Sequence, residues 1–175
     1  MSMINVFALC CCLGMLMQCA PRVAAQSAVT TVYVVRHAEK LDPADGDSPI
    51  SPVGEERAQA LSVYLARAGV ERIYATTLRR TQQTVAPLAA RIDATPVVLD
   101  PFATEDLVRS IRTEDTGKVV LVAGHSNTIP GIIKALSGLE IDGIPEERFD
   151  RLYKVVLPPD GKNTVEELRF GVETP

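Results

Sequence analysis

Tryptophan is absent, aromatics make up 5% of the 175 residues, and there are only two histidines, His37 and His125. Cysteine and methionine are missing from most of the chain. The four cysteines (Cys10, Cys11, Cys12, Cys19) and four methionines (Met1, Met3, Met15, Met17) all lie in the first nineteen residues. Whatever follows that segment can form no disulfide, offers no thiol nucleophile and holds no Cys-ligated metal. An excess of positive charge is lacking too: 18 basic against 22 acidic residues give a net charge of −4. That balance excludes non-specific nucleic-acid binding, which needs a basic footprint. Any anion the protein handles must therefore be held by local charge against the overall field. A charged fraction of 23% beside 46% hydrophobic residues excludes disordered, collagen-like and many-pass membrane chains. No internal repeat is visible, and the length suits one domain.

Charge is nearly absent from residues 1–25, where Arg22 stands alone. Ile4 to Met17 is a largely apolar run of 14 residues, about 21 Å as a helix. A membrane-spanning helix needs roughly 20 residues. The run fits the apolar region of a secretory signal, and Val23-Ala24-Ala25 supplies small residues for cleavage before Gln26. The expectation is a signal peptide over 1–25, one domain over 26–175, a periplasmic or secreted location and no membrane attachment after cleavage. An uncleaved anchor and a lipid anchor at Cys19 are the alternatives. A body of about 150 residues can bury close to 70% of its unfolded surface, enough for one core.

That body alternates strands with helices. Thr30 to Val35 is β-branched and almost continuously apolar, as suits a strand covered on both faces. A polar loop with Pro43, Asp45, Gly46, Asp47 and Pro49 follows. Ser51-Pro52 then reads as the cap and first position of a helix whose stripe is Ala58, Leu61, Leu65 and Ala68, closed by Gly69. Strands are expected at Arg72–Thr76, Val97–Leu99 and Lys118–Ala123, and helices at Leu78–Arg91 (kinked at Pro87), Thr104–Arg112 and Asn127–Leu136. Arg151–Leu157 and Thr164–Phe170 read as a closing hairpin around Pro158-Pro159-Asp160-Gly161. The fold expected is a single α/β domain of three layers. Its sheet is mostly parallel, with helices on both faces and a C-terminal antiparallel hairpin.

In such a sheet ligands bind beyond the carboxyl ends of the strands. Three strand ends carry unusual polar groups: Arg36-His37-Ala38-Glu39, Thr77-Leu78-Arg79-Arg80-Thr81 and Gly124-His125-Ser126-Asn127. Both histidines of the chain fall there. Arginine offers planar, permanently charged forks that match phosphate oxygens. A neutral imidazole nitrogen can be a nucleophile, and neighbouring guanidinium charge opposes its protonation. Helices starting after Thr77 and His125 would add backbone N–H groups aimed at an anion. Together these groups suit a tetrahedral dianion better than a cation, which Arg36 and Arg80 would repel.

The stretch Val35-Arg36-His37-Ala38-Glu39 resembles the RHG signature of the histidine phosphatase (phosphoglycerate mutase-like) superfamily, with Ala38 in the usual Gly position. Leu78-Arg79-Arg80-Thr81-Gln82-Gln83-Thr84 is similar to that family's L-x-R-x-x-Q-T segment, and Gly124-His125-Ser126-Asn127-Thr128 to its second-histidine motif. The resemblance, in its small phosphatase branch, implies a phosphatase in which His37 is phosphorylated while Arg36, Arg80 and His125 hold the phosphoryl group. It implies neither metal nor cofactor, and a partner that is a phosphorylated small molecule or a phosphoprotein. A phosphomutase of the same superfamily, a catalytically silent phosphate- or phosphoprotein-binding module and a two-histidine metal site are the alternatives.

The chain departs from the family in its proton donor. Ser126 stands where acid phosphatases and phytases of the superfamily carry Asp, and the chain is short where mutases insert a Glu after the third strand. Asp100 and Glu105 fall in the corresponding stretch. Their plainer roles are a turn residue before Pro101 and a first-turn helix carboxylate. Glu39 is expected to pair with a neighbouring arginine or to be solvated, and Asn127 to cap the following helix. The Asp-rich loop from Lys40 to Ile50 would flank the pocket and disfavour highly phosphorylated substrates.

Overall fold

The computed structural model describes residues 28–174. The expected signal peptide and cleavage position lie outside the described residues. Among those described, no helix is long and apolar enough to cross a membrane.

Strands β1 (Thr30–Arg36), β2 (Val70–Thr76), β3 (Val97–Leu99), β4 (Val119–Gly124), β5 (Arg151–Leu157) and β6 (Thr164–Arg169) form one sheet, in the order β3-β2-β4-β1-β5-β6. β1, β4, β2 and β3 are mutually parallel, β5 runs antiparallel to β1, and β6 pairs antiparallel with β5. The expected mostly parallel sheet with a closing hairpin is therefore present.

Four helices connect the strands: α1 (Pro52–Tyr64), α2 (Arg79–Arg91), α3 (Thr104–Thr113) and α4 (Ile129–Ser137). They cover both faces, because β1 is apolar on both. Val32 and Val34 join a buried cluster with Leu107 and Ile111 of α3 and Ile129, Ile133 and Leu136 of α4. Val35 joins another with Leu61 of α1 and Val85 and Leu88 of α2. The three layers follow from this alternation of side chains.

α1 begins as its sequence suggests: the Ser51 hydroxyl accepts the Gly54 N–H at 3.1 Å, with Pro52 at the first helical position. Gly54 permits a close approach, since a Cβ there would lie 2.6 Å from the Glu39 carbonyl oxygen. α1 can therefore sit against the segment that follows His37. α2 is the one helix expected there, unbroken from Arg79 to Arg91 with Pro87 inside it. α4 begins at Ile129, two residues later than expected, after a turn in which the Thr128 and Ile129 N–H groups both donate to the His125 carbonyl at 3.0 Å. Gly138, at φ 77°, ends it in the left-handed region.

Candidate active site

The sheet register brings the two histidines together. Arg36 and Gly124 are partners at the ends of adjacent parallel strands, and the His37 N–H donates to the Gly124 carbonyl at 2.9 Å. Each histidine is the first residue beyond its strand, so their ring centroids lie 5.3 Å apart. Arg80, from the first turn of α2, reaches the same cleft of about 610 Å³, which Arg36, His37, Lys40, Phe102, His125 and Glu146 also line. All four residues singled out by sequence are therefore in one place. Arg79 is exposed and does not line the cleft.

Hydrogen bonds fix the tautomer of each imidazole. His37 Nδ1 lies 2.7 Å from the carbonyl oxygen of Ala38, which can only accept, so Nδ1 carries the proton and Nε2 keeps its lone pair. At His125 the arrangement is reversed. The Thr81 hydroxyl shares its single proton between the carbonyls of Leu78 (2.8 Å) and Thr76 (3.1 Å). The Thr76 hydroxyl, 2.9 Å away, must then donate to Thr81, and so accepts from His125 Nε2–H at 3.2 Å. The lone pair of His125 is left on Nδ1, which is buried and has no partner.

Burial is the main cause that pushes the His37 pKa down to about 3, with Arg36, Arg80 and His125 adding to it against the Ala38 hydrogen bond. Burial, then Arg80 and Arg36, push His125 down to about 4. Both rings are neutral at physiological pH. The guanidiniums act in the expected direction, but desolvation is the larger effect.

Arg36 is 5% exposed, held by the segment joining α4 to β5. Its Nη1 donates to the carbonyls of Glu146 (2.6 Å), Pro145 (3.1 Å) and Arg148 (3.2 Å), and its Nη2 to Glu146 Oε2 at 2.6 Å. The Phe149 ring lies 4.2 Å from the guanidinium carbon. Arg80 is tied to the acidic loop: its Nη1 donates to the Gly46 carbonyl at 2.7 Å, while Asp47 and Asp45 lend it negative charge. The Nε atoms of Arg36 and Arg80 are buried without partners, as is His125 Nδ1. Of the five buried polar side-chain atoms left unpaired among the described residues, three thus belong to this one cleft. Such groups are costly in isolation and mark where a polar ligand would restore hydrogen bonding.

Some expectations need correction. Some of the backbone donors expected at the helix starts are already occupied: the Arg79 N–H donates to Asp47 Oδ1 at 2.8 Å, and those of Thr128 and Ile129 to the His125 carbonyl at 3.0 Å. Asn127 does not cap α4; the cap position is Thr128, and Asn127 lines the cleft. Of the two proton-donor candidates, Glu105 is absent from the cleft wall. Asp100 lines it, but its Oδ1 accepts the Phe102 N–H at 2.9 Å in a turn. Glu39 does pair with an arginine: both its oxygens accept from Arg57 Nε, at 2.8 and 2.9 Å. The cleft carboxylate that sequence reasoning missed is Glu146, whose Oε1 accepts from the Ser126 hydroxyl at 2.5 Å. It lies 110 residues from Arg36 in a segment without periodicity, and only the odd Ser126 hinted at a supplied partner.

Residues 32–106 match the model of a family described as the histidine phosphatase superfamily (branch 1). No curated protein sequence matches the chain. Among solved structures, the chain is similar to the protein histidine phosphatase SixA complexed with tungstate. The TM-score is 0.61 at 16% identity, over 79% of this chain and 96% of that one. It is similar also to a mycobacterial glucosyl-3-phosphoglycerate phosphatase, with TM-score 0.68 and 12% identity over 82% and 100% of the two chains. The same phosphatase with VO3 gives TM-score 0.61 at 15% identity, over 81% and 97%. At such identities the likeness speaks for a shared fold.

Proposed function

We propose that the chain, whose residues 32–106 match the histidine phosphatase superfamily model and whose fold agrees with that match, is a phosphomonoester hydrolase working through a phosphohistidine at His37. The observation that carries this is the set of orphaned nitrogens, Arg36 Nε, Arg80 Nε and His125 Nδ1, in the cleft that also holds His37. The His37 Nε2 lone pair attacks phosphorus in line with the departing ester oxygen. Arg36 and Arg80 meet the equatorial oxygens. His125 joins them once it has taken up a proton at Nδ1, which the incoming negative charge favours. Donors fixed in place before the reaction need no reorganisation as charge develops, usually the largest catalytic contribution. Water then attacks phosphorus, the P–N bond returns its electron pair to His37 Nε2, and inorganic phosphate leaves.

The positive charge that meets the phosphoryl group comes from side chains, so no metal is required. Tungstate and VO3 in the related structures are oxyanions of the kind this cleft would take. The related proteins are named for a phosphorylated histidine on protein and for a sugar phosphoglycerate. We infer that leaving groups of both types reach His37 through the cleft of about 610 Å³. We further propose, from the apolar run Ile4 to Met17 and the small residues Val23-Ala24-Ala25, a reaction outside the cytoplasm and a mature N-terminus at or near Gln26, which mass spectrometry would read.

The test is a panel of phosphate esters and a phosphohistidine peptide, assayed with and without chelator. Phosphate release that survives chelation and is inhibited by vanadate is expected. Complete loss with chelator and rescue by zinc would replace this reading with a metal site. Binding of phosphate without turnover of any ester would leave a silent binding module.

A further inference from the structure

The phosphatase reading, on which this inference rests, leaves one step without a residue: the departing ester oxygen needs a proton. We propose that Glu146 supplies it. Three observations converge on this side chain. First, its carboxylate accepts from Arg36 Nη2 at 2.6 Å, so it occupies a guanidinium edge that a phosphoryl oxygen would claim. Second, it accepts from the Ser126 hydroxyl, directly after His125, at 2.5 Å. Third, its backbone is pinned by the carbonyl contact to Arg36 Nη1 while its side chain is 79% exposed. The carboxylate can therefore swing off Nη2 without moving the segment that positions Arg36. The other cleft carboxylate, Asp100, is committed to a turn.

In the free protein the Ser126 hydrogen bond and the Arg36 charge, with Lys40 adding to them, hold Glu146 below the usual carboxylate range. It is then a base. A phosphoryl group bound to Arg36 removes the Nη2 contact and sets negative charge beside the carboxylate, and both changes favour its protonation. The other charged or titratable groups of the cleft are His37, Arg80, His125, Lys40 and Asp100. The protonated Glu146 donates to the ester oxygen as the P–O bond breaks and the bond from His37 Nε2 to phosphorus forms. In the second step a water oxygen bonds to phosphorus, the P–N bond returns its electron pair to His37, and the water proton passes to the Glu146 carboxylate. The net reaction is ester plus water to alcohol plus phosphate: Glu146 takes one proton from solvent as the ester binds, regains its acid form in the second step, and returns that proton to solvent when phosphate leaves.

Dependence on the leaving group tests this directly. A nitrophenyl ester departs as a stable phenolate and needs little proton donation, whereas an alkyl ester needs it fully. Glu146→Gln is expected to lose about 10²- to 10³-fold in kcat/KM on an alkyl phosphate and less than about tenfold on nitrophenyl phosphate. Glu146→Asp, which keeps an acid on a shorter stem, should recover part of the alkyl-ester loss. Equal losses on both esters, or none on either, would overturn the proposal. Faster turnover of both esters with tighter vanadate binding would also overturn it, making Glu146 a plug for the anion site. Wild-type protein that hydrolyses neither ester would defeat the phosphatase reading itself.

Discussion

His37 and His125, with ring centroids 5.3 Å apart, are held in opposite tautomers: His37 keeps its lone pair on Nε2 and His125 on Nδ1. The difference separates their roles. The His37 ring is oriented by the carbonyl of Ala38, in its own chain segment, so proton loss from Nδ1 is not needed for Nε2 to attack. The His125 ring is oriented by Thr76, which is backed by Thr81. Label from a radioactive ester, trapped by rapid quench, is expected on the peptide containing His37. His37→Ala should trap none and lose nearly all turnover. His125→Ala should still be labelled, more slowly, because it removes stabilisation and leaves the nucleophile. Label found on His125 would reverse the assignment.

Arg80 and Arg79 are neighbours on α2, and a helix turns about 100° per residue, so only one can face the cleft. Arg80 lines it and Arg79 is exposed. Arg80→Ala is expected to lower kcat by about 10²-fold or more, as removal of a charged transition-state donor does. Arg79→Ala should leave it within about twofold, since only its backbone N–H, which alanine keeps, is used. Steady-state kinetics of the two variants on one ester decide between them.

These site residues were legible in the sequence because each stands at a strand end, where an apolar run stops and a charged group follows. Arg36 ends β1 and His37 follows it, and His125 follows Gly124 at the end of β4. A parallel direction for those two strands follows from strand–helix alternation, but their adjacency, which brings the rings together, does not. What held Arg36 was not legible. Pro145, Glu146 and Arg148 act partly through backbone carbonyls, which every residue has, from a segment belonging to no helix or strand. The occupied N–H of Arg79 was hidden for a similar reason. Asp47 looked like one acid among several in a polar loop, and only the folded path of that loop carries it to the start of α2.

Arg57 is the other deeply buried charge near the site. Its side chain is 4% exposed, its Nε donates to the Glu39 carboxylate, its Nη2 lies 2.7 Å from Glu39 Oε1, and its Nη1 donates to the Val172 carbonyl at 3.0 Å. The pair ties α1 and the C-terminal segment to the residue two places beyond His37. Glu39→Ala would leave a guanidinium buried without its counter-charge, at a cost of about 3–5 kcal/mol. The denaturant midpoint measures it. Lys134→Ala, which breaks an exposed pair with Glu140, should leave the midpoint unchanged. Similar midpoints for the two variants would show that the Arg57 pair does not anchor the region.

The neutral histidines also make a prediction about the folded state that needs no substrate. In the unfolded chain both rings titrate near 6.5, whereas in the fold they are pushed down to about 3 and about 4. A depressed histidine pKa means that the unfolded state binds more protons between those values. Stability is then fully present above pH 6.5 and falls as the pH drops toward 4. With both rings 5–6% exposed, solvent screening offsets little of this. From pH 7 to pH 5 the pair should cost about 3–4 kcal/mol of unfolding free energy. Asp115 and Asp150, whose pKa values are lowered from 3.8, lose their contribution only at more acidic pH, outside this window. Urea unfolding of the wild type at pH 7 and pH 5 reads the loss. The double variant His37→Gln, His125→Gln, which cannot take up these protons when unfolded, should show a much flatter dependence over the same interval. An equally steep fall in the double variant would place the acid sensitivity elsewhere and argue that the two rings are protonated, and the cleft open to water, in the folded protein.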